Sequence, residues 1–260
     1  MCNWNSAGNG AATPAKMLYY SSNVAALQFG EIIGRDNFYK FVKMFGYGQP
    51  TGIDLAGEAE GIVNWPIGAD WSDLTLDTNS FGQGIAVTPV QHITAISAIA
   101  NGGTLMWPHV VKQRCKGTQC EDIKPRVVRR VIDPGVTEQI NNMLVENANS
   151  YAPVVWGPIT GSYAPVPLVP GFRVTAKTGT SQIAVNGVYD ANATIGSVTG
   201  WAPAENPRIA VLVKIDRPKD DPFGLNTAIP VYQKVVSELM PYFRMAPNPE
   251  IIDLSQVDKQ

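Results

Sequence analysis

The chain has 260 residues, enough for one large domain or two small ones, with a core that needs no metal or disulfide to fold. Its 20 Lys and Arg against 22 Asp and Glu give a net charge of −2, which argues against a protein that coats nucleic acid. Hydrophobic residues make up 45% and charged residues 16%, so the chain is globular, not disordered. No window offers the roughly 20 consecutive apolar residues that a membrane-spanning helix needs.

The predicted elements form helices early in the chain and strands late, which indicates an α+β fold. Helices are predicted over 11–20, 24–33, 36–45, 88–100, 134–146 and 228–243. Strands are predicted over 104–111, 126–132, 173–178, 194–201 and 208–215. Between them, 50–86 and the five-proline stretch 147–172 are predicted to be extended or irregular. Thr88 is the expected N-cap of its helix, with Pro89 at the first helical position.

The cysteines and histidines favour neither a disulfide scaffold nor a metal site. Cys115 and Cys120 bracket a short polar loop, where they either form a small-loop disulfide or remain two free thiols. His92 and His109 lack the spacing of a zinc site, and they give little support to a Ser-His-Asp triad. We therefore expect no metal and no cofactor.

A basic cluster between Lys112 and Arg130 holds seven Lys and Arg against Glu121 and Asp122. It is either a phosphate-binding patch or a solvated edge strand protected by its charge, and the second arrangement is commoner.

The sequence Lys177-Thr178-Gly179-Thr180 is predicted to end a strand. It combines a cation, hydroxyl groups and a glycine without a Cβ atom that could obstruct a ligand. On an edge strand, these groups could bind a peptide that adds as a further strand, with its terminal carboxylate near the lysine. The alternative is a strand that simply ends in a glycine turn.

Ser21-Ser22-Asn23 separates the first predicted helices. These residues either cap a helix or place a proton-relaying hydroxyl and a substrate-aligning amide in one cleft.

Together, Ser21-x-Asn23 and Lys177-Thr178-Gly179 resemble the second and third motifs of the transpeptidase domain of class B penicillin-binding proteins. Further blocks, in the same order as in that family, extend the resemblance over roughly residues 1–245. They are Cys2–Asn5 with Gly8 and Gly10, Tyr47–Gly61, Ser80–Gly84, Thr88–Gln91, Ala100–Gly103 and Gly200–Pro207. The resemblance implies a serine β-lactamase/penicillin-binding transpeptidase-like fold, with an antiparallel sheet flanked by helices.

The resemblance also implies a reaction, acyl transfer on the D-Ala-D-Ala end of a peptidoglycan stem peptide. Lys177 would set the field of the site and support proton transfer through Ser21, and Asn23 would align a substrate amide. We expect these three residues to be catalytic, and we expect β-lactams to acylate the site because they mimic acyl-D-Ala-D-Ala.

The substrate-binding residues implied by the resemblance are Thr178, Gly179, Thr180 and Gln83. The threonine hydroxyls would hold the terminal carboxylate. The backbone N–H of Thr180 would supply half of an oxyanion hole, and Gln83 would line the cleft.

The first motif of the family, Ser-x-x-Lys, is missing, because no serine is followed by a lysine three residues later. Thr13-Pro14-Ala15-Lys16 imitates it but lies too close to Ser21, since the family's nucleophile is some tens of residues upstream. We therefore expect residues 1–245 to be a partial transpeptidase domain, followed by a polar tail over 246–260.

Under this expectation, the nucleophile and a membrane anchor would lie upstream or on a separate chain, and the site would face the cell wall outside the cytoplasm. The alternative is a non-catalytic scaffold or binding protein that has lost the nucleophile. A β-lactamase or β-lactam sensor is a weaker alternative, since those relatives lack the blocks at Gly57-Glu58 and Phe81–Gly84.

Overall fold

The computed structural model describes Asn3, Gly8 and residues 10–67, 71–185 and 188–251. Over these residues the chain forms two compact units. The first is Asn23–Glu138, and the second combines Asn3–Ser22 with the chain from Gln139 onward.

The described residues form helices and antiparallel strands, in agreement with the predicted α+β fold. The helices are α1 (Pro14–Tyr20), α2 (Asn23–Ile33), α3 (Arg35–Met44), α4 (Asp73–Ser80), α5 (Pro89–Ala100), α6 (Pro134–Thr160) and α7 (Gly224–Tyr242). The strands are β1 (Ile62–Val63), β2 (Ile85–Ala86), β3 (Thr104–Met106), β4 (Gln113–Lys116), β5 (Gln119–Asp122), β6 (Val127–Arg130), β7 (Lys177–Val185), β8 (Val188–Ala202) and β9 (Ile209–Asp216).

The start of α5 shows why local sequence predicts some boundaries well. The Thr88 hydroxyl accepts a hydrogen bond from the Gln91 N–H at 3.2 Å, and the Gln91 side chain accepts from the Thr88 N–H at 3.0 Å. This reciprocal capping satisfies donors that a helix start leaves free. Thr88 is the N-cap and Pro89 begins the helix, so both predictions are confirmed.

The second unit is built on the antiparallel sheet β7-β8-β9, in which β7 is an edge strand. Helix α7 packs against it, and Ile229, Tyr232, Val236 and Met240 of this helix are fully buried in the core. Trp201 on β8 is buried as well. Burying such large apolar side chains is the main favourable contribution to folding of the unit.

Helix α6 corrects the prediction that 147–172 is irregular, because the helix continues to Thr160 through Pro153 and Pro158. Proline inside a helix removes a hydrogen bond and costs about 3 kcal/mol. Burial offsets this cost: Ala152 is fully buried in the core, and the Trp156 indole N–H donates to the Leu168 carbonyl at 3.2 Å. Tertiary packing therefore overrides the local signal of the prolines.

The first unit contains helices α2 to α5 and three antiparallel strand pairs, β1-β2, β3-β6 and β4-β5. Helix α4 corrects the prediction of extended chain over 50–86. Its polar sequence shows no apolar stripe, but the Thr75 hydroxyl accepts from the Ser72 N–H at 3.2 Å and Leu76 is buried.

The hairpin β4-β5 settles the two alternatives for the cysteines, since Cys115 and Cys120 are joined by a disulfide. All residues of both strands are exposed.

Candidate active site

The segment between α1 and α2 places Ser21 in a conformation that most residues avoid. Ser21 ends α1 with φ 48° and ψ 48°, in the left-handed region. Its neighbour Ser22 is buried and donates its hydroxyl to the Asn3 side-chain oxygen at 2.9 Å. The turn is thus held by backbone hydrogen bonds to α1 and by the Ser22–Asn3 contact.

Lys177 reaches this hydroxyl from the start of β7. Its Nζ donates to Ser21 Oγ at 2.8 Å and to the Thr178 carbonyl at 2.8 Å. Burial lowers the pKa of Lys177 to about 8, because a charged amine loses hydration there. Residues 156 positions apart in sequence therefore meet as a hydroxyl–amine pair that can exchange a proton near neutral pH.

The position of the tetrad in the strand differs from the prediction. Lys177 begins β7, which continues to Val185, whereas the sequence predicted a strand that ends there. The strand was not predicted past Thr178 because the residues that follow Lys177 are small and polar. They lack the apolar residues by which a buried strand is recognised in a sequence. Among the described strands, β7 lies at one edge of its sheet, the location that strand addition by a peptide would need.

Thr178 and Thr180 are held by different helices. The Thr178 hydroxyl donates to Tyr151 Oη on α6 at 3.1 Å, and the Thr178 N–H contacts the same oxygen at 3.4 Å. The Thr180 hydroxyl, on an exposed residue, accepts from the Gly224 N–H at the start of α7 at 3.0 Å. The two hydroxyls are therefore engaged in opposite senses, one as donor and one as acceptor.

Gly179 and Gly224 differ in how tightly they are packed. A Cβ atom at Gly179 would lie 2.8 Å from Ser197 Oγ on the paired strand β8, the end of a side chain that can rotate away. At Gly224, an added Cβ would lie 2.6 Å from the Ser197 carbonyl oxygen and 2.7 Å from its nitrogen. These two glycines allow α7 to begin directly against the tetrad.

Asn23 and Gln83 belong to the first unit. Asn23 is the first residue of α2, and Gln83 follows α4, where its N–H donates to the Thr78 carbonyl at 3.0 Å. Both side chains are half-buried. Their part in the site remains a prediction.

Sequence reasoning missed Asn147 and Tyr151, although both touch the chain around Lys177. The Asn147 amide donates to Tyr151 Oη at 2.8 Å and to the Ala176 carbonyl at 2.9 Å. Their spacing of four residues is a helical signal, but they fell in the stretch predicted as irregular.

The basic cluster divides into side chains with different surroundings. Arg129 and Arg130 donate to the carbonyls of Met44 and Gly102, both at 3.0 Å, and the Arg126 guanidinium lies 4.5 Å from the centre of the Trp107 ring. These arginines have structural partners, whereas Lys112, Arg114, Lys116 and Lys124 lie on or beside the exposed hairpin. A phosphate-binding role for the cluster stays untested.

Within the described parts of the chain, no helix combines the length and apolarity needed to cross a bilayer. The same residues include no group of three or more His, Cys, Asp or Glu that could hold a metal ion.

Comparison with known proteins identifies the class. A family model described as the penicillin-binding protein transpeptidase domain matches residues 1–240. The chain therefore belongs to this family, as a transpeptidase domain of the class B penicillin-binding proteins.

Stage V sporulation protein D of Bacillus subtilis is 34% identical over 254 residues, which cover 96% of this chain and 37% of that protein. Penicillin-binding protein PbpB of Mycobacterium tuberculosis is 30% identical over 227 residues, or 85% of this chain and 32% of that protein. The chain thus spans about a third of the length of these curated relatives.

Solved structures confirm the α+β transpeptidase fold. The transpeptidase domain of penicillin-binding protein 3 from Burkholderia pseudomallei superposes with a TM-score of 0.75 at 28% identity, covering 93% of this chain and 68% of that one. Penicillin-binding protein 3 from M. tuberculosis, complexed with aztreonam, gives a TM-score of 0.77 at 27% identity, covering 92% and 53%.

Proposed function

We propose that this chain carries the second and third motifs of a serine D,D-transpeptidase, which cross-links peptidoglycan by acyl transfer from D-Ala-D-Ala stem peptides. The supporting observation is the Lys177 Nζ–Ser21 Oγ contact of 2.8 Å, made by a lysine whose pKa is lowered to about 8. Relatives named peptidoglycan D,D-transpeptidase, such as PenA of Neisseria meningitidis at 29% identity, support the same reaction class.

In the proposed reaction, a serine hydroxyl attacks the carbonyl of the penultimate D-Ala, and the bond to the terminal D-Ala breaks. The serine proton passes through Ser21 and Lys177 toward the departing amine, and an acceptor amine then takes the acyl group from the serine. With a pKa of about 8, about a tenth of the Lys177 amines are neutral at pH 7 and able to accept a proton. The charged form provides the field that holds the terminal carboxylate.

Asn23 aligns a substrate amide in this proposal, Thr178 and Thr180 lie beside the carboxylate, and Gln83 lines the cleft. A preorganised N–H at Thr180 is worth several kcal/mol in the transition state. β-Lactams are the expected inhibitors, and the aztreonam complex of the M. tuberculosis relative supports this expectation.

The attacking serine is the part that these 260 residues do not contain, because no Ser-x-x-Lys is present. In this proposal it comes from a preceding segment of the same domain or from a separate chain. The same observation favours the second candidate function, a scaffold or binding protein that has lost the nucleophile.

Covalent labelling tests the assignment of the nucleophile. Incubation of the 260-residue chain with a fluorescent penicillin should give no adduct, because it lacks the Ser-x-x-Lys motif that carries the nucleophile in the proposal. A stable acyl adduct on this chain, detected by mass spectrometry, would show that one of its own residues is the nucleophile.

A longer protein that includes the segment encoded upstream in the genome distinguishes the transpeptidase from the non-catalytic scaffold. If that segment encodes Ser-x-x-Lys, the extended protein should be acylated, and Lys177→Ala should abolish acylation. Lys124→Ala is the matched control, since its side chain is 81% exposed on the hairpin side. Near wild-type acylation of Lys177→Ala would refute the role given to Lys177, and an upstream segment without Ser-x-x-Lys would favour the scaffold.

We further propose an extracytoplasmic location, with a membrane connection only through a segment outside these residues. The Cys115–Cys120 disulfide supports this location, because disulfides persist mainly in oxidising compartments.

A further inference from the structure

Helix α6 presents two buried polar side chains to the first residues of β7. Asn147 is fully buried and Tyr151 is 6% exposed, and they lie one helical turn apart on the same face. Burial of a polar group is costly unless it is hydrogen-bonded, so their partners indicate what they stabilise.

Those partners lie on both sides of Lys177. The Asn147 amide donates to the Ala176 carbonyl at 2.9 Å, and the Ala176 N–H donates to the Leu144 carbonyl at 3.3 Å. On the other side, the hydroxyl and the N–H of Thr178 contact Tyr151 Oη at 3.1 and 3.4 Å. Helix α6 thus fixes the backbone before and after the lysine that reaches Ser21.

Tyr151 contacts Thr178 through both its backbone and its side chain. The Tyr151 oxygen lies within hydrogen-bond distance of the Asn147 amide, the Thr178 N–H and the Thr178 hydroxyl. It therefore links helix α6 to the residue that directly follows Lys177.

We propose that Tyr151 is a positioning residue of the candidate site, which keeps Lys177 on Ser21 by holding Thr178 through its backbone N–H and its hydroxyl. This positioning stands on contacts within the second unit.

A role in packing alone would not explain the polar pair. Asn147 Oδ1 is buried and has no hydrogen-bond partner among the described residues. A leucine or methionine at this position would fill the same space without that cost, which is about 1–3 kcal/mol for a buried unsatisfied group. The asparagine is accounted for by the two bonds that its amide makes, to Tyr151 and to Ala176.

The substitution Tyr151→Phe tests the positioning role in the 260-residue chain, with Tyr232→Phe as the matched control. Tyr232 is also fully buried and donates its hydroxyl to the Thr175 carbonyl at 2.7 Å, just ahead of the motif. Both changes remove one buried hydroxyl, but only Tyr151→Phe removes the partner of Thr178.

In NMR experiments, Tyr151→Phe should speed amide exchange of Thr178 by about tenfold, because its N–H loses an acceptor. It should also raise the pKa of Lys177 by about one unit, because the loosened amine gains water. Tyr232→Phe should change neither value. Equal responses of both variants, or no response in Tyr151→Phe, would overturn the proposal.

Discussion

Lys177 is a buried amine of the second unit, and its burial has a cost in free energy. A protonated amine in a buried position loses hydration that the bonds to Ser21 and the Thr178 carbonyl only partly replace. Its pKa, lowered to about 8 from an ordinary value of 10.5, expresses this cost. Functional sites commonly contain such shifted groups.

The lowered pKa of Lys177 should make the stability of the chain depend on pH. Below pH 8 it is protonated in both the folded and the unfolded chain, so the cost of burying the charge is present in full. Between pH 8 and 10.5 the unfolded chain binds more protons, and the stability contribution of Lys177 therefore rises with pH.

We predict that Lys177→Met is more stable than the parent by about 1–2 kcal/mol at pH 7, and that this difference shrinks by pH 9.5. Urea unfolding at both pH values measures it. A difference that is constant with pH would show that the amine is not perturbed by burial.

The candidate site shows how far sequence reasoning reaches at this scale. Ser21 and Lys177 are predicted to share a site because each stands in a recognisable motif, and the structure brings their side chains into contact, while their roles stay predictions. Tyr151 and Asn147 were not, because a tyrosine and an asparagine in a proline-rich stretch carry no local sign of the strand that they contact. Contacts between residues distant in sequence become visible only in the folded chain.

At the scale of elements, boundaries that depend on local chemistry were predicted and those that depend on packing were not. The start of α5 follows from Thr88 and Pro89, whose effects are confined to one helical turn. Helix α6 continues past Pro153 because a core that is distant in sequence buries its far end. Strand β7 begins at Lys177 because β8 pairs with it there, through Lys177 and Thr199.

The start of α7 packs so closely against β7 that a methyl group added at Gly224 should destabilise the chain. We predict that Gly224→Ala lowers the free energy of unfolding by about 1–3 kcal/mol, since the new Cβ meets the backbone of Gly179 and Ser197. Gly8→Ala is the control, because nothing lies within 4 Å of its added Cβ. Thermal unfolding compares the two variants, and similar losses in both would contradict this account.

At the scale of the whole molecule, the first unit contains three groups that should make it less stable in acid. Each of them has a lowered pKa in the folded chain. Burial lowers the pKa of His92, whose Nδ1 lies 2.9 Å from the Tyr47 hydroxyl. The Val110 N–H holds the pKa of Asp54 below its usual value. For Glu58, burial raises the pKa, but hydrogen bonds, the largest from Thr51, outweigh it and lower the value overall.

The signs agree for all three groups. Each has a lower pKa in the folded chain, so the unfolded chain binds more protons as the pH falls. His92 contributes a loss of stability below pH 6.5, and the carboxylates contribute further below about pH 4.5.

We predict that acid opens the first unit before the second. Hydrogen exchange followed by mass spectrometry at pH 7 and pH 5 should show a larger loss of protection within 23–138 than within 139–251, after correction for intrinsic rates. His92→Gln should reduce the difference. Greater loss of protection in the second unit would contradict the prediction.

The near-neutral charge also gains a meaning from the structure. The carboxylate binding that we propose needs a local cation, for which Lys177 is the candidate, and it needs no basic surface. The net charge of −2 is therefore compatible with an anionic ligand.

The unpaired oxygen of Asn147 makes this position look like the first candidate for thermal stabilisation, since leucine or methionine would remove a buried unsatisfied acceptor. The same substitution would also remove the amide that donates to Tyr151 and to the carbonyl of the fully buried Ala176. It therefore exchanges one unsatisfied acceptor for another, and we expect no gain in melting temperature from Asn147→Leu or Asn147→Met. An unpaired buried atom is thus a useful engineering target only where the rest of its side chain makes no bond that the core needs.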